Sequence, residues 1–422
     1  MVVLVALALL APPRPGFAAA KLPKVVLPEA GLQSRHIGVV VNKLDPDSMR
    51  IGKYYVQARG LPKENLIQVG FSERKRNMDS ETFGKLRKRL LKKTPVHVEA
   101  YLLTWDFPYR VDCMSMASAV SFGFSQDYCA EGCKKTKPSP YFNSKVKLPY
   151  TELGFRPTMV LPLTFDYAKQ LIDKSLTGDA SWPDGTAYLV ETSNKPRSVR
   201  KVQYPSVKRA FDPYLRIETP KVDFLKNKHD VLFYFTGLFD LLGTETNTYL
   251  PGAVVDNLNS GSCMPHPRPR PGQTHKHYAG CRDYLENGAT GSYGTAIEPC
   301  NFLGKFANIG ILLQNYLAGQ TLLESHWKSV QMPGQGIFTG DPLARPYGGY
   351  RIRKRGNEFI ITTRSLQSGW YDIWARTADG KTHMAYRATM VSGYPQHLRV
   401  PATGDAAHAT EFIVLPANTP QP

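Results

Sequence analysis

The sequence predicts a mixed α/β fold, a mostly parallel sheet with helices on both faces, followed by a small β-sandwich. Three observations predict it. The first hundred residues read strand, helix, strand, helix, strand, an order that argues for a parallel sheet covered on both sides. The alternation resumes after residue 165 with continuous apolar strands. From Gly349 onward the pattern changes to short alternating strands separated by turn signals. A chain of 422 residues, 42% of them apolar, can bury a large core.

The opening MVVLVALALLAPPRPGFAAA carries an apolar run from Val2 to Leu10 and small residues at Ala18 and Ala20. It reads as a secretory signal peptide over residues 1–20, too short to span a bilayer. The expected compartment is therefore periplasmic or extracellular, with no transmembrane segment after signal cleavage. The α/β domain is expected over residues 31–345. Its first strand is HIGVVVN (His36–Asn42), and LDPDS then lets Asp47 or Ser48 cap a helix over Met49–Arg59. LIQVGF (Leu66–Phe71) supplies a second strand, and a basic helix follows with Phe83, Leu86, Leu90 and Leu91 facing inward. VHVEAYLLTW (Val96–Trp105) makes the third strand.

From about 112 to 157 the chain turns to Ser, Gly, Pro, Lys and Cys, which reads as a lid insertion. Beyond it come an amphipathic helix over Phe165–Leu176 and the strands GTAYLVET (Gly185–Thr192), DVLFYFTG (Asp230–Gly237), GAVVDNLNS (Gly252–Ser260) and GATGSYGT (Gly288–Thr295). A helix over Ile309–Val330 leads to a last strand, GIFTG. Residues 349–416 hold NEFIITTR, GWYDIWART, THMAYRATMV and TEFIVLP, with Asp379-Gly380 suited to a two-residue hairpin.

An exported chain allows its six cysteines, Cys113, Cys129, Cys133, Cys263, Cys281 and Cys300, to pair. Fifteen connectivities are open to six cysteines. The short loops single out Cys129–Cys133 and Cys263–Cys281 for testing. The net charge of +18 is concentrated in part between Arg74 and Lys93. Such a face attracts lipopolysaccharide or an acidic glycan, although the ordinary role of a charge run is a solvated surface. For an exported protein nucleic acid is not an expected partner, whereas an envelope protein or acidic polysaccharide is.

Several residues carry possible chemistry. Asp106, Arg110 and Asp112 lie past the third strand, where a cleft opens in such sheets; an Asp–Arg pair there binds a charged substrate or forms a loop ion pair. Asp256, in an apolar strand, needs a partner, because a lone buried carboxylate is costly; Glu298 is in the same position. Cys263, His266, His275, His277 and Cys281 form a C-x₂-H-x₈-H-x-H-x₃-C string that zinc or copper accepts, with a Cys263–Cys281 disulfide as the alternative. No cofactor is expected, and no metal is assigned. Gly288, Gly291 and Gly294 are too irregular for a dinucleotide fingerprint. Asp341-Pro342 reads as a strand terminator. Trp370 and Trp374 alternate with Tyr371 and either line a glycan face or pack in a core.

IGVVVNKLDPDSMRIGKYYVQARGLPKENLIQV, the strand at Tyr101–Thr104 followed by PYR, LIDKSL, GATGSYGT and IEP with KF soon after, and GIFTGDPLARPY together resemble an uncharacterised family of exported bacterial proteins found in genomes that carry the exosortase sorting system. The likeness spans most of Arg35–Tyr347 and implies a fold and a compartment rather than a reaction. More distantly, the chain resembles the gingipain-type cysteine peptidases. These have a caspase-like sheet, close with a GAxxxxG passage and a GDP-containing strand, and continue into an immunoglobulin-like β-sandwich. Gly288–Gly294, Gly340-Asp341-Pro342 and the final domain match that order. The resemblance implies that a catalytic His follows one central strand and a catalytic Cys the next. This chain has Thr236-Gly237 at the first position and Asn259-Ser260-Gly261-Ser262-Cys263 at the second. Thr236 cannot take a proton at neutral pH, and a thiolate nucleophile needs an imidazole within reach. The expectation is a peptidase-like protein without the usual pair, binding protein or polysaccharide. The alternatives are an active cysteine hydrolase using Cys263, with His266, His275 or His277 as its base, and a metal-binding protein through the His/Cys loop.

Overall fold

The computed structural model describes residues 22–72, 75–239, 241–265, 280–391 and 394–422. The signal segment, Arg74 and the histidines 266, 275 and 277 lie outside the described residues. A sheet of ten described strands dominates the molecule. Across it the order is Arg216–Glu218, Thr186–Leu189, Val231–Thr236, Tyr249–Asn257, Gly291–Thr295, Gly336–Gly340, Thr158–Val160, Ala100–Leu103, Ile37–Asn42 and Leu66–Val69. Neighbours run parallel except at one seam, where Gly291–Thr295 meets Gly336–Gly340 antiparallel. The two five-stranded halves therefore point their carboxyl ends at opposite rims.

The strands form where the sequence is continuously apolar, as a sheet covered on both faces requires. Val39, Val40, Val41, Leu102, Phe233, Phe235, Val254 and Val255 are all fully buried. The helix after the strand Ile37–Asn42 runs Pro46–Ala58 and is capped by Asp45, ahead of the expected Asp47 or Ser48. Asp45 Oδ1 accepts from Asp47 N and Ser48 N. Ser48 instead turns inward, its hydroxyl 2.8 Å from that of Thr104 and accepting from Asn42 N. The basic helix is Ser80–Lys93, with Phe83, Leu86 and Leu90 buried; Leu91, expected inward, is 39% exposed.

The helix expected over Ile309–Val330 is two helices, Ile309–Leu317 and Leu322–Ser329. Gly319 takes a left-handed conformation (φ +71°) at the break, and Thr321 with Glu324 forms a capping box that starts the second helix. Asp341 does more than end a strand. Fully buried, it accepts from Tyr55 Oη (2.7 Å), Arg59 Nε (3.0 Å) and Leu343 N (3.0 Å), tying the last strand to the first helix.

Much of the stretch expected as a lid packs as core. The helix Met116–Phe122 covers one sheet face, and Met114, Met116, Ala117, Ala119 and Val120 are buried in the cluster that also holds Ile337 and Val160. Two disulfides secure the region, Cys113–Cys129 and Cys133–Cys300. The Cys129–Cys133 pairing that the short loop singled out for testing is not formed. Each partner is taken by a residue distant in sequence, a choice that loop length alone does not reveal. Cys263–Cys281 is present, with Cα atoms 4.8 Å apart. Three disulfides fit an exported protein. No helix among the described residues is long and apolar enough to cross a membrane.

At the C-terminus, two sheets share one core. Tyr350–Arg355, Glu358–Thr363 and Gln396–Pro401 form one; Gly369–Arg376, Thr382–Met390, Glu411–Pro416 and the N-terminal strand Lys24–Val26 form the other. Phe359 and Phe412 meet across the core with ring centroids 5.2 Å apart. The Asp379-Gly380 turn closes through Thr377 N to Lys381 O, so its loop has three residues, with Gly380 left-handed at φ +84°.

Candidate functional site

The strands Val231–Thr236 and Tyr249–Asn257 are parallel neighbours with Thr236 opposite Asn257, so both chains leave the sheet at the same rim. The two tips are clamped together. Asn257 Oδ1 accepts from Leu238 N (2.9 Å) while its Nδ2 donates to Leu238 O (3.0 Å). Asn259 Nδ2 donates to Phe239 O (3.1 Å) and its Oδ1 accepts from Arg197 Nε (3.0 Å). Thr236 itself is buried, and its carbonyl accepts from Leu258 N and Arg200 Nη2.

Asp256 has the partner its burial demanded. Arg200 Nη1 lies 2.9 Å from Asp256 Oδ1, with both side chains almost wholly enclosed. Burial pushes the Asp256 carboxyl above the usual range, and the Arg200 guanidinium opposes that shift. Arg200 Nη2 also donates to the carbonyls of Thr236 and Asp256, so the pair sits at the tips of these two neighbouring strands. One strand further out, between Thr186–Leu189 and Val231–Thr236, the strand order of this half reverses, the place where open α/β sheets hold ligands. Here that crevice is stitched shut. Thr192 Oγ1 donates to Gly237 O (2.6 Å), and Gly237 packs so closely on the Arg197 carbonyl that no Cβ would fit. Arg200 was not singled out from sequence, because it lies in the irregular run PRSVRKVQY. The only signal was the need of Asp256 for a cation.

Cys263 ends the serine-rich turn, 6% exposed and bonded to Cys281. A sulfur in a disulfide offers neither a thiolate nucleophile nor a thiolate ligand, so the paired form lacks the nucleophile of the hydrolase alternative and leaves the metal alternative only the histidines of the loop, which lie outside the described residues. The turn lies against the sheet at Gly294, where a Cβ would strike Ser262 Oγ and Cys263 Sγ. Beside Cys263, bounded by Trp105, Val160 and Ile337, the described residues leave about 10 Å³, room for one water at most. No group of His, Cys, Asp or Glu among the described residues is arranged to hold a metal.

Asp106, Arg110 and Asp112 do not form one cluster. Asp106 accepts from Arg282 Nη1 (3.0 Å), whose Nε also reaches Glu286, so this carboxylate pins the short helix Cys281–Glu286. Arg110 belongs to a two-residue strand paired with Asn77 and Ser115. Asp112, left-handed at φ +45°, accepts from Asn77 Nδ2 (3.1 Å) and Ser80 N (3.0 Å) at the start of the basic helix. Glu298 is exposed and accepts from Cys300 N (2.8 Å). The open space near Asp106 is a cavity of about 450 Å³ at the carboxyl ends of the other half-sheet, lined by Asn42, Asp45, Asp47, Thr104 and Asp106.

On the β-sandwich, Tyr371 and Ile373 face the shared core while Trp370 stands 59% exposed on the outer face and Trp374 is half-buried. Between the two tryptophans, Asp372 holds Arg387 through two bonds of 2.5 and 2.8 Å. Comparison with protein families, curated proteins and solved structures finds no match.

Proposed function

We propose that the chain is an exported cell-envelope binding protein, built on a caspase-like, peptidase-type scaffold without the usual catalytic pair, whose immunoglobulin-like sandwich holds polysaccharide. The observation that carries this reading is the state of the two tips. Where an imidazole would stand the chain has buried Thr236, and Cys263 is bonded to Cys281 in a space too small for a peptide. Kinship with the gingipain-type peptidases is supported by the adjacency of those tips and by the sandwich that follows. A polysaccharide ligand is supported by Trp370 and Trp374, about 13 Å apart along one strand, with an Asp–Arg pair between them. Exposed indole faces stack on sugar rings, and Trp370 stands on the outer face of its strand, away from the core.

The test is direct. Purified protein lacking residues 1–20 should leave a mixture of peptides uncut and should be retained on immobilised envelope polysaccharide. Trp370→Ala should weaken retention without changing the unfolding midpoint. Peptide cleavage that Cys263→Ala abolishes would overturn the reading.

A further inference from the structure

We propose that Arg364 anchors a second binding site, at the junction of the α/β domain and the sandwich, that takes the carboxylate of an acidic sugar. Arg364 follows the strand Glu358–Thr363 and is half-buried. Its guanidinium carbon lies 4.8 Å from the Tyr347 ring centroid, 5.6 Å from Trp182 and 6.0 Å from Tyr394. Nε and Nη1 are enclosed and find no acceptor among the described residues. A guanidinium without a carboxylate is costly to enclose, and a carboxylate in the cavity that Arg364 lines pairs with it through a charge-assisted bond.

The surroundings are built to present ring faces. Trp182 Nε1 donates to Gly348 O (2.8 Å), Tyr347 Oη to Pro183 O (3.2 Å) and Tyr394 Oη to Gln314 O (3.1 Å). Each polar tip is thereby occupied away from the guanidinium. Trp182 adopts φ +53°, a conformation that bulky residues rarely take, and is held there by its N–H to Pro346 O (3.0 Å). Strain of this kind persists where surrounding structure enforces it, often at ligand clamps. A cavity of about 510 Å³ opens beside Arg364, walled by Trp182, Tyr214 and Tyr347. That is ample for one or two sugar rings.

The other charges in the wall already have partners. Arg216 pairs with Asp230 at 3.1 Å and lies 3.7 Å from Asp184, and Asp212 pairs with Lys208. Among the described residues, Arg364 is the cation in this wall without a carboxylate. Aromatic walls take a ring, the guanidinium takes its carboxylate, and the rim oxygens of Asp184 and Asp212 accept hydroxyls. A uronic acid unit meets all three. The choice of a sugar over other ring-bearing carboxylates rests on the polysaccharide reading, whereas the site itself is independent of the Trp370 face.

Calorimetric titration of the mature protein with a uronic acid trisaccharide, its carboxyl-reduced neutral counterpart and a peptide ending in Phe tests the assignment. The acidic trisaccharide should bind, the neutral one at least ~10-fold more weakly, and the peptide not at all. Arg364→Met should lower affinity ~10- to 100-fold, the loss expected for charge-assisted bonds, and Trp370→Ala should leave this titration unchanged. Arg364→Met should also keep or raise the unfolding midpoint, because it removes donors that lack acceptors. Equal binding of the neutral sugar, preference for the peptide, or a lowered midpoint in Arg364→Met would each overturn the assignment. Loss of the acidic sugar site alone, with neutral glycan retention still sensitive to Trp370→Ala, would leave the polysaccharide reading standing.

Discussion

His326 makes the protein acid-sensitive in a way that can be measured. It lies in the fully buried helix Leu322–Ser329, near Phe338 at 6.3 Å between ring centroids, and neither ring nitrogen has a hydrogen-bond partner among the described residues. Burial lowers its pKa from the ordinary 6.5 to about 3. A histidine with a depressed folded pKa stays neutral in the native state while the unfolded chain takes up a proton below 6.5. Stability is therefore lost as pH falls from 6.5 toward about 3, at about 1.4 kcal/mol per pH unit for this one group. By pH 4.5 the loss is about 3 kcal/mol. Urea unfolding at pH 7.5, 5.5 and 4.5 should show the wild type losing this much more than His326→Leu, a change of similar volume that adds no polar atom. Identical pH slopes in the two proteins would refute the reasoning, because the proton uptake would then lie elsewhere.

Three further outcomes follow from buried contacts. Asp256→Ala should lose about 3–5 kcal/mol in chemical denaturation by leaving Arg200 enclosed and unpaired, and Asp256→Leu with Arg200→Met should recover much of it. Asp341→Ala, which strips acceptors from Tyr55, Arg59 and Leu343, should cost a similar ~3–5 kcal/mol and lower the thermal midpoint. Gly294→Ala forces a Cβ against the Ser262–Cys263 turn and should destabilise by about 1–3 kcal/mol, with Cys263 becoming more readily alkylated after mild reduction.

The sheet was legible because its strands are continuous apolar runs, and such runs announce burial on both faces. That the strands ending at Thr236 and Asn257 leave the sheet side by side was likewise readable, from the order of two consecutive strands. Other features depend on tertiary partners that periodicity does not encode. The antiparallel seam is one, since Gly336–Gly340 gives no sign in sequence of its direction. The break at Gly319 is another; apolar periodicity ran through it, and the capping box at Thr321 and Glu324 decided the matter. Lys24–Val26 was missed because three residues beside Glu411–Pro416 carry too little pattern. At the site, Asp106 and Asp112 were visible as carboxylates after a strand, but their engagement with Arg282 and with the N–H of Ser80 depends on segments far along the chain. Arg364 and its aromatic walls converge from residues 182, 347, 364 and 394, which no motif joins.

The central claim is that the Cys263 turn of the proposed peptidase-like scaffold holds no nucleophile. Digestion of the unreduced mature protein, followed by mass spectrometry of its cysteine peptides, tests that most directly. The account predicts a Cys263–Cys281 linked peptide and no alkylation of Cys263 before reduction. A free Cys263 that reacts in the native protein, at a rate that rises with the ionisation of a nearby imidazole, would contradict it.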